Sequence, residues 1–481
     1  MNGRIYVAST PEYVMSVGEI RAAEAEIIRD GISESELIER AADALFDSVK
    51  GLCAGKRTLI VCGCGNNGSD GLSLALKLHY HKYDVSVITV GSKRNSENLV
   101  RYKIAAEKGL VTDRFAGADI IVDALFGIGL TRPPSGEYLE TIRRINSSGA
   151  YIVSVDIPSG LDGNTGRILS EAVYADTTVT FTALKRGMVL GDGLNCAGSI
   201  ELKNIGIKAS GDCLTGCLEL YKRKRVTHKG DYGRVFIIAG SRQMPGAAII
   251  AARGALYSGA GYVTLCVPES LCDVFSARIP EVMLKPLPDK NGAIVFDKSS
   301  MEEIAEKADS ILIGNGLGRN SAVADVIEFL FKNFTGTLIV DADGLNAMAA
   351  RQLYCSGAKC KIVLTPHIGE LYRLTDNTGD VYSDAVRLAS KNGCTVAAKS
   401  AATVITDGNK TYFNVTGCAG MAKGGSGDAL AGIIAALGAY NDSLLSAALG
   451  CCKFGLAGEA AEEKYGQEAV TASRILDELR F

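Results

Sequence analysis

Residues 414–435, NVTGCAGMAKGGSGDALAGIIA, decide how the rest of the chain is read. A strand ends in the small run Gly424-Gly425-Ser426-Gly427, Asp428 follows, and small and aliphatic residues then continue as a helix. Glycine lets the backbone turn sharply and approach a ligand closely. The first amides of a helix have no partner within it and carry the positive end of its dipole, which makes a cradle for a phosphate or an oxyanion. A carboxylate in that cradle would repel a phosphate. It suits a base facing a hydroxyl that exchanges a phosphoryl group. The competing reading makes Asp428 a helix cap, a common use of aspartate, and the rest of the chain has to decide between them.

The 481 residues suffice for two or three domains, each with its own core. A net charge of −3 gives no reason to expect nucleic acid as a partner. No apolar run reaches the length expected of a membrane span, and residues 1–9 are too short and polar for a secretory signal. The 14 cysteines form no pair of CxxC units and the 4 histidines are scattered, so buried thiols in a reducing cytoplasm are expected rather than zinc or disulfides.

Upstream, the chain repeats the pattern of the opening stretch. Two helices are predicted over 14–54. The strand 57–62 runs into Gly63-Cys64-Gly65-Asn66-Asn67-Gly68-Ser69-Asp70-Gly71, read as a polar loop, and a helix continues to about Tyr83. Strand, glycine loop, helix opens a Rossmann-like sheet, although the spacing is not GxGxxG. The strand at 119–124 ends in Asp123 and the loop Gly127 to Pro133, which carries Arg132. The strand at 151–155 ends in Asp156-Ile157-Pro158-Ser159-Gly160. In a parallel sheet these ends share one edge, so Asn67, Asp123, Asp156 and Ser159 are expected to converge, with oxygens that suit a hard cation. Further strands are expected at 177–183 and 199–205. A polar then basic segment, 211–225, reads as a solvated linker.

The second half restarts with a strand at 233–241 and a helix over 245–257. Strands ending at Gly314-Asn315-Gly316-Leu317-Gly318, Asp341-Ala342-Asp343 and Thr365-Pro366-His367 follow, then one at 395–403. The fold class expected is α/β: two tandem three-layer α/β domains, a Rossmann-like one over 1–215 and a second one over 226–481. No repeat links the halves.

The second half resembles the ribokinase-like superfamily through GSGD. Its finer pattern resembles the nicotinamide-nucleotide hydrate dehydratases: residues 230–234 (GDYGR), 314–318 (GNGLG), 341–346 (DADGLN), 365–370 (TPHIGE) and 414–417 (NVTG). The first half resembles the matching hydrate epimerases through 66–71 (NNGSDG), 123–129 (DALFGIG) and 156–160 (DIPSG). Together they cover nearly the whole chain, in the order found in the bifunctional hydrate-repair enzymes of bacteria and archaea. Ser69, Asn315 and Ile368 stand where the family usually has glycine, proline and proline.

The resemblance implies repair of NADH or NADPH that has taken up water. The first domain would interconvert the two epimers. The second would dehydrate the S form, with ADP giving AMP and phosphate. It implies Asp428 as catalytic base, with Gly425, Ser426 and Gly427 supplying amides, and nucleotide contacts at Lys399, Ser400, Ala401, Ala402, Thr403 and Gly427. Hydrate contacts fall at Ala247, Gly318, His367 and Asp428. In the first domain it places substrate at Asn66, Asn67, Gly68, Ser69, Asp70, at Gly127, Ile128, Gly129, Leu130, Thr131, Arg132, Pro133, and at Asp156, the residue chosen here for proton transfer. Potassium would lie at Asn67, Asp123 and Ser159, Mg2+ would accompany ADP, and a homo-oligomer is expected by analogy. The rival is a ribokinase-type kinase for a small hydroxylated molecule, with a non-catalytic first domain.

Overall fold

The computed structural model describes residues 4–115 and 117–481. The chain divides into two compact units, one of Glu12–Gly211 and one that joins the segment ending at Pro11 to Asp212–Phe481.

In the first unit, helices α1 (Val17–Arg29) and α2 (Glu34–Cys53) precede a sheet. Ser16 and Ser33 cap them by accepting from Glu19 N and Glu36 N. Then come β1 (Thr58–Cys62), α3 (Asn66–Tyr80), β2 (Val85–Thr89), α4 (Ser96–Glu107), β3 (Ile120–Ala124), α5 (Glu137–Asn146), β4 (Tyr151–Val155), β5 (Thr177–Phe181) and β6 (Ser199–Lys203). The six strands lie in the order β2-β1-β3-β4-β5-β6, all parallel. Alternation along the strands splits the core between the two faces. Ile60, Cys62, Val122 and Ala124 pack with Leu45 and Leu72, whereas Leu59, Val61 and Ile121 pack with Ile142 and Ile145. That is the three-layer arrangement expected of strand–helix alternation.

One element differs from the sequence reading. Asn66 to Asp70 do not form a loop; they are the first turn and a half of α3. Gly63 to Gly65 suffice for the turn, and Ser69 N already donates to Gly65 O at 3.1 Å. Close approach fixes the small residues, since a Cβ on Gly68 would lie 2.0 Å from the Gly63 carbonyl oxygen.

The second unit continues with β7 (Arg234–Ile238), α6 (Pro245–Tyr257), β8 (Tyr262–Pro268), β9 (Met283–Leu287), β10 (Ser310–Ile313), α7 (Ser321–Asn333), β11 (Thr337–Val340), α8 (Asp343–Arg351), β12 (Lys361–Leu364), α9 (Ile368–Leu374), α10 (Val381–Asn392), β13 (Thr395–Ala398), β14 (Thr403–Thr406), β15 (Thr411–Asn414), α11 (Ser426–Gly438) and α12 (Ser443–Tyr465). Ten strands order as the short edge pair Cys213–Leu214, then β15-β14-β13-β12-β11-β10-β7-β8-β9. Only the β13-β14 and β14-β15 pairs are antiparallel.

The segment read as a linker over 211–225 is structured. Cys213 and Leu214 pair with Tyr412 and Phe413, and Leu218–Leu220 pairs with Ile5–Val7. Arg223 of the basic run lies over the Tyr232 ring, 3.5 Å from its centroid. Composition marked these residues as polar, but two short strands need only a few apolar positions to add to exposed sheet edges. The helix α12 also departs from expectation. It is long and apolar enough to cross a membrane by length and composition, yet 72% of its apolar window is buried inside the protein. All 14 cysteines are free.

Helix α11, which starts at the Gly-Ser-Gly-Asp turn, is held against α6 by glycine. A Cβ on Gly432 would sit 2.0 Å from Ala251 O, and one on Gly254 would sit 2.4 Å from Ala429 O. Both neighbours are backbone, so neither can give way cheaply. We expect Gly432→Ala to cost about 1–3 kcal/mol through overpacking, measured as a lower midpoint in chemical denaturation.

Candidate active sites

In the second unit the strand ends β10, β11, β12 and β13 bring four polar side chains to the start of α11. Gly425 precedes that helix with φ 95°, a left-handed conformation suited to glycine. Asp428 lies in the first turn. Its Oδ1 accepts from Asn315 Nδ2 at 2.7 Å, and the same amide nitrogen donates to Asp341 Oδ2 at 2.8 Å. Asp341 Oδ1 accepts from Lys399 Nζ at 2.6 Å and from the Thr365 hydroxyl at 2.8 Å. A continuous polar chain thus runs Lys399–Asp341–Asn315–Asp428, with Asn315 and Asp341 buried.

Burial pushes the Asp428 carboxyl above its ordinary value; the Asn315 hydrogen bond opposes this, and the Asp341 charge adds to it. Burial pulls the Lys399 ammonium down, but Asp341 above all, with Glu370 and Asp428, more than offsets it and leaves Lys399 raised. Asp428 is therefore a carboxylate with a lifted proton affinity, as a general base requires.

The other residues singled out in this half surround this chain. Gly427 faces Lys399, whose Nζ would lie 3.3 Å from a Cβ placed there. Ser426 turns away and donates to Met421 O at 2.8 Å. Ala247 packs on Gly316, and Gly318 N donates to Asp343 Oδ2 at 2.7 Å. His367 caps α9, accepting on Nδ1 from Gly369 N at 3.0 Å, and its ring is more than half exposed. Its backbone N donates to Glu370 at 2.9 Å, and it bridges to Lys399 across the strand ends. Ser400 and Ala401 lie on the turn after β13. Ala402 and Thr403 are buried at the start of β14.

The first unit holds a cavity of about 570 Å³ at the carboxyl ends of its strands. Asn66, Asn67, Asp70, Gly127, Ile128, Gly129, Leu130 and Asp156 line it. Gly68 and Ser69 face inward from α3, where the Ser69 hydroxyl donates to Gly65 O, and Thr131, Arg132 and Pro133 fall outside the lining. Gly127 lies where Asp156 and Asn67 meet: a Cβ there would be 3.1 Å from Asp156 Oδ2 and 3.2 Å from Asn67 Oδ1. Both polar atoms of the Asn67 side chain are buried without a partner.

Asp123 is fully buried beside the cavity. Its Oδ1 accepts from the Ser159 hydroxyl at 2.6 Å, and its Oδ2 accepts from Ser159 N and the Ser154 hydroxyl at 2.9 Å each. Burial outweighs these bonds and leaves its proton affinity raised. The expected convergence of Asn67, Asp156 and the Asp123–Ser159 pair at one sheet edge is thus present.

Two participants were not foreseen. Lys185, 1% exposed, pairs with Asp156 and donates to the Thr180 hydroxyl at 2.8 Å. Glu24, from α1, also lines the cavity. Desolvation first, then the Asp156 charge, raises both Glu24 and Asp70, the latter well above the usual carboxylate range. The charged pair Lys185-Arg186 inside the largely apolar stretch 179–190 was the available signal for Lys185. Nothing on the surface-patterned helix α1 marked Glu24.

Two families match the two halves. The NAD(P)H-hydrate dehydratase family matches residues 235–480, and the family described as YjeF-related protein N-terminus matches 34–187. A bifunctional NAD(P)H-hydrate repair enzyme of Thermofilum pendens is 35% identical, with 97% of this chain and 95% of that protein covered. One from Moorella thermoacetica is also 35% identical, with 92% and 91% covered. Among solved structures, the ADP/ATP-dependent NAD(P)H-hydrate dehydratase from Bacillus subtilis, co-crystallized with ATP/Mg2+, is 25% identical over 53% of this chain and 91% of its own, with a TM-score of 0.47. Matched in both halves and along nearly its whole length, the chain belongs to the bifunctional NAD(P)H-hydrate repair enzymes.

Proposed function

We propose that each unit carries out one half of this repair at the site described above, the first as NAD(P)H-hydrate epimerase and the second as ADP-dependent dehydratase. The observation that carries the reading is the placement of Asp428: a carboxylate of raised proton affinity, fixed by Asn315, in the first turn of a helix that starts at the left-handed Gly425. Dehydration needs the hydroxyl of the hydrate turned into a leaving group. Asp428 takes the hydroxyl proton as the oxygen bonds to the terminal phosphorus of ADP, and the bond from that phosphorus to the bridging oxygen breaks to give AMP. The amides of Gly425 to Gly427 hold the developing charge. Expulsion of phosphate, with loss of a proton from the neighbouring ring carbon to solvent, then restores the ring double bond. Lys399, with residues 400–403, lies on the nucleotide side; Ala247, Gly318 and His367 lie on the hydrate side.

Mg2+ accompanies the diphosphate in this reading. The test is stoichiometry. S-hydrate with ADP should yield reduced nicotinamide, AMP and phosphate in equal amounts. A phosphorylated product without recovered NADH or NADPH would favour a kinase.

In the first unit Asp156 is the proton acceptor, held by Lys185, and Asp70 lines the same cavity with its proton affinity raised by burial and by the Asp156 charge. Potassium fits Asn67, Asp123 and Ser159. The fit rests on the unpartnered Asn67 oxygen and on Asp123, a buried carboxylate at the same sheet edge whose hydrogen bonds do not offset its burial. We expect epimerisation to fall at least about tenfold when potassium is replaced by a bulky organic cation, equivalent to about 1.4 kcal/mol. Unchanged turnover would remove the cation from the site.

Asn315, at a position where the family usually has proline, donates a hydrogen bond to Asp428 Oδ1. Its bond lowers the proton affinity of that carboxylate. A base works above its own pKa. Removing the bond with Asn315→Ala raises that pKa, so the acid limb of kcat/KM for dehydration should move to higher pH.

A further inference from the structure

A second cavity of about 570 Å³ in the dehydratase unit begins at Gly318, where the hydrate side of the site ends. Arg319, Arg351 and Arg373 stand around it, with Asp343 and Asn346 between them. Arg351 is engaged with Asp325 at 3.0 Å and Glu328 at 3.7 Å. Arg373 Nη1 donates to Asn346 Oδ1 at 2.8 Å, a neutral acceptor. Among the described residues neither Arg319 nor Arg373 forms an ion pair with a carboxylate, and Asp343 Oδ2 is taken by Gly318 N. The rim therefore holds two guanidinium groups without a carboxylate partner and one carboxylate, Asp343, so that its balance stays positive.

Sheet order gives the direction of the ligand. In that reading the phosphoryl donor lies toward β13 and β14, at Lys399 to Thr403, while Gly318 and Asp343 follow β10 and β11, and Asp428 bonds to Asn315 of the β10 loop. A hydrate with its ring at Asp428 cannot send its dinucleotide tail toward the donor, where two polyanions would collide. The tail must leave past Gly318, into this cavity. Resting on the dehydratase reading, we infer that Arg319 and Arg373 bind a phosphate group of the NAD(P)H hydrate. Paired guanidinium forks suit phosphate in geometry as well as charge.

The phosphate can be the pyrophosphate common to both hydrates or the 2′-phosphate of NADPH hydrate alone. Arg319→Ala and Arg373→Ala would be assayed on the purified S-hydrates of NADH and of NADPH, at saturating ADP. Each change should raise hydrate KM about tenfold or more, the scale of a hydrogen bond to a charged group, with kcat and the KM for ADP unchanged. A rise for both hydrates identifies the pyrophosphate; a rise for NADPH hydrate alone identifies the 2′-phosphate. Unaltered KM for both hydrates in folded, active variants overturns the proposal. Loss of kcat together with a lower thermal midpoint would assign the arginines to the fold and overturn it equally. A wild-type protein inactive on both hydrates would instead overturn the dehydratase reading beneath it.

Discussion

Asp428→Asn should lower dehydration of the S-hydrate by at least about 10²–10⁴-fold, the range for loss of a positioned general base. Asparagine keeps the volume and can still meet the Asn315 amide, which donates to Asp428 Oδ1 at 2.7 Å. The cradle at Gly425 to Gly427 is backbone and is untouched, so ADP should bind with wild-type affinity in calorimetry. Epimerisation, carried by the other unit, should continue at the parental rate. A helix cap behaves differently: asparagine caps about as well as aspartate, so an Asp428 that served only as a cap would leave turnover intact.

Asp156→Asn should produce the complementary defect, a loss of epimerisation with normal dehydration of pure S-hydrate. The substitution is a fair test because Asp156 has φ 68°, a left-handed conformation that asparagine tolerates and most side chains do not. Strain of this kind at a cavity lined by Asp70 and Glu24 fits a residue placed for chemistry. Lys185, 1% exposed, keeps an acceptor but loses its counter-charge, so the thermal midpoint should fall as well. The decisive readout is proton exchange between the epimers and water, monitored by NMR. An Asp156→Asn protein that still equilibrates R and S hydrates at the parental rate would remove Asp156 from the mechanism.

Much of this organisation was legible because each buried parallel strand ends in glycine or a short polar side chain, and parallel ladders place all such ends on one edge. That is why Asp123, Asp156 and Asp428 could be picked from sequence. The partners that fix them were less visible. Asn315 read as a departure from the family, and only the fold shows its amide shared between Asp341 and Asp428. Lys185 is far in sequence from Asp156 and meets it because β4 and β5 are neighbours. The polar first turn of α3 looked like a loop, since Asn, Gly, Ser and Asp favour turns and helix starts alike. The edge strands at 213–214 and 218–220 were hidden for a related reason: a two- or three-residue strand carries no periodicity of its own, and its existence depends on the partner strand.

The central claim is that both units act in sequence on one damaged cofactor. The most direct measurement is the recovery of reduced-nicotinamide absorbance from a mixed-epimer hydrate preparation, supplied with ADP, Mg2+ and potassium. The account predicts complete recovery, fast for the S fraction and then at the rate of epimerisation. Recovery that stops when the S form is exhausted, under conditions where spontaneous epimerisation is slow, would contradict it.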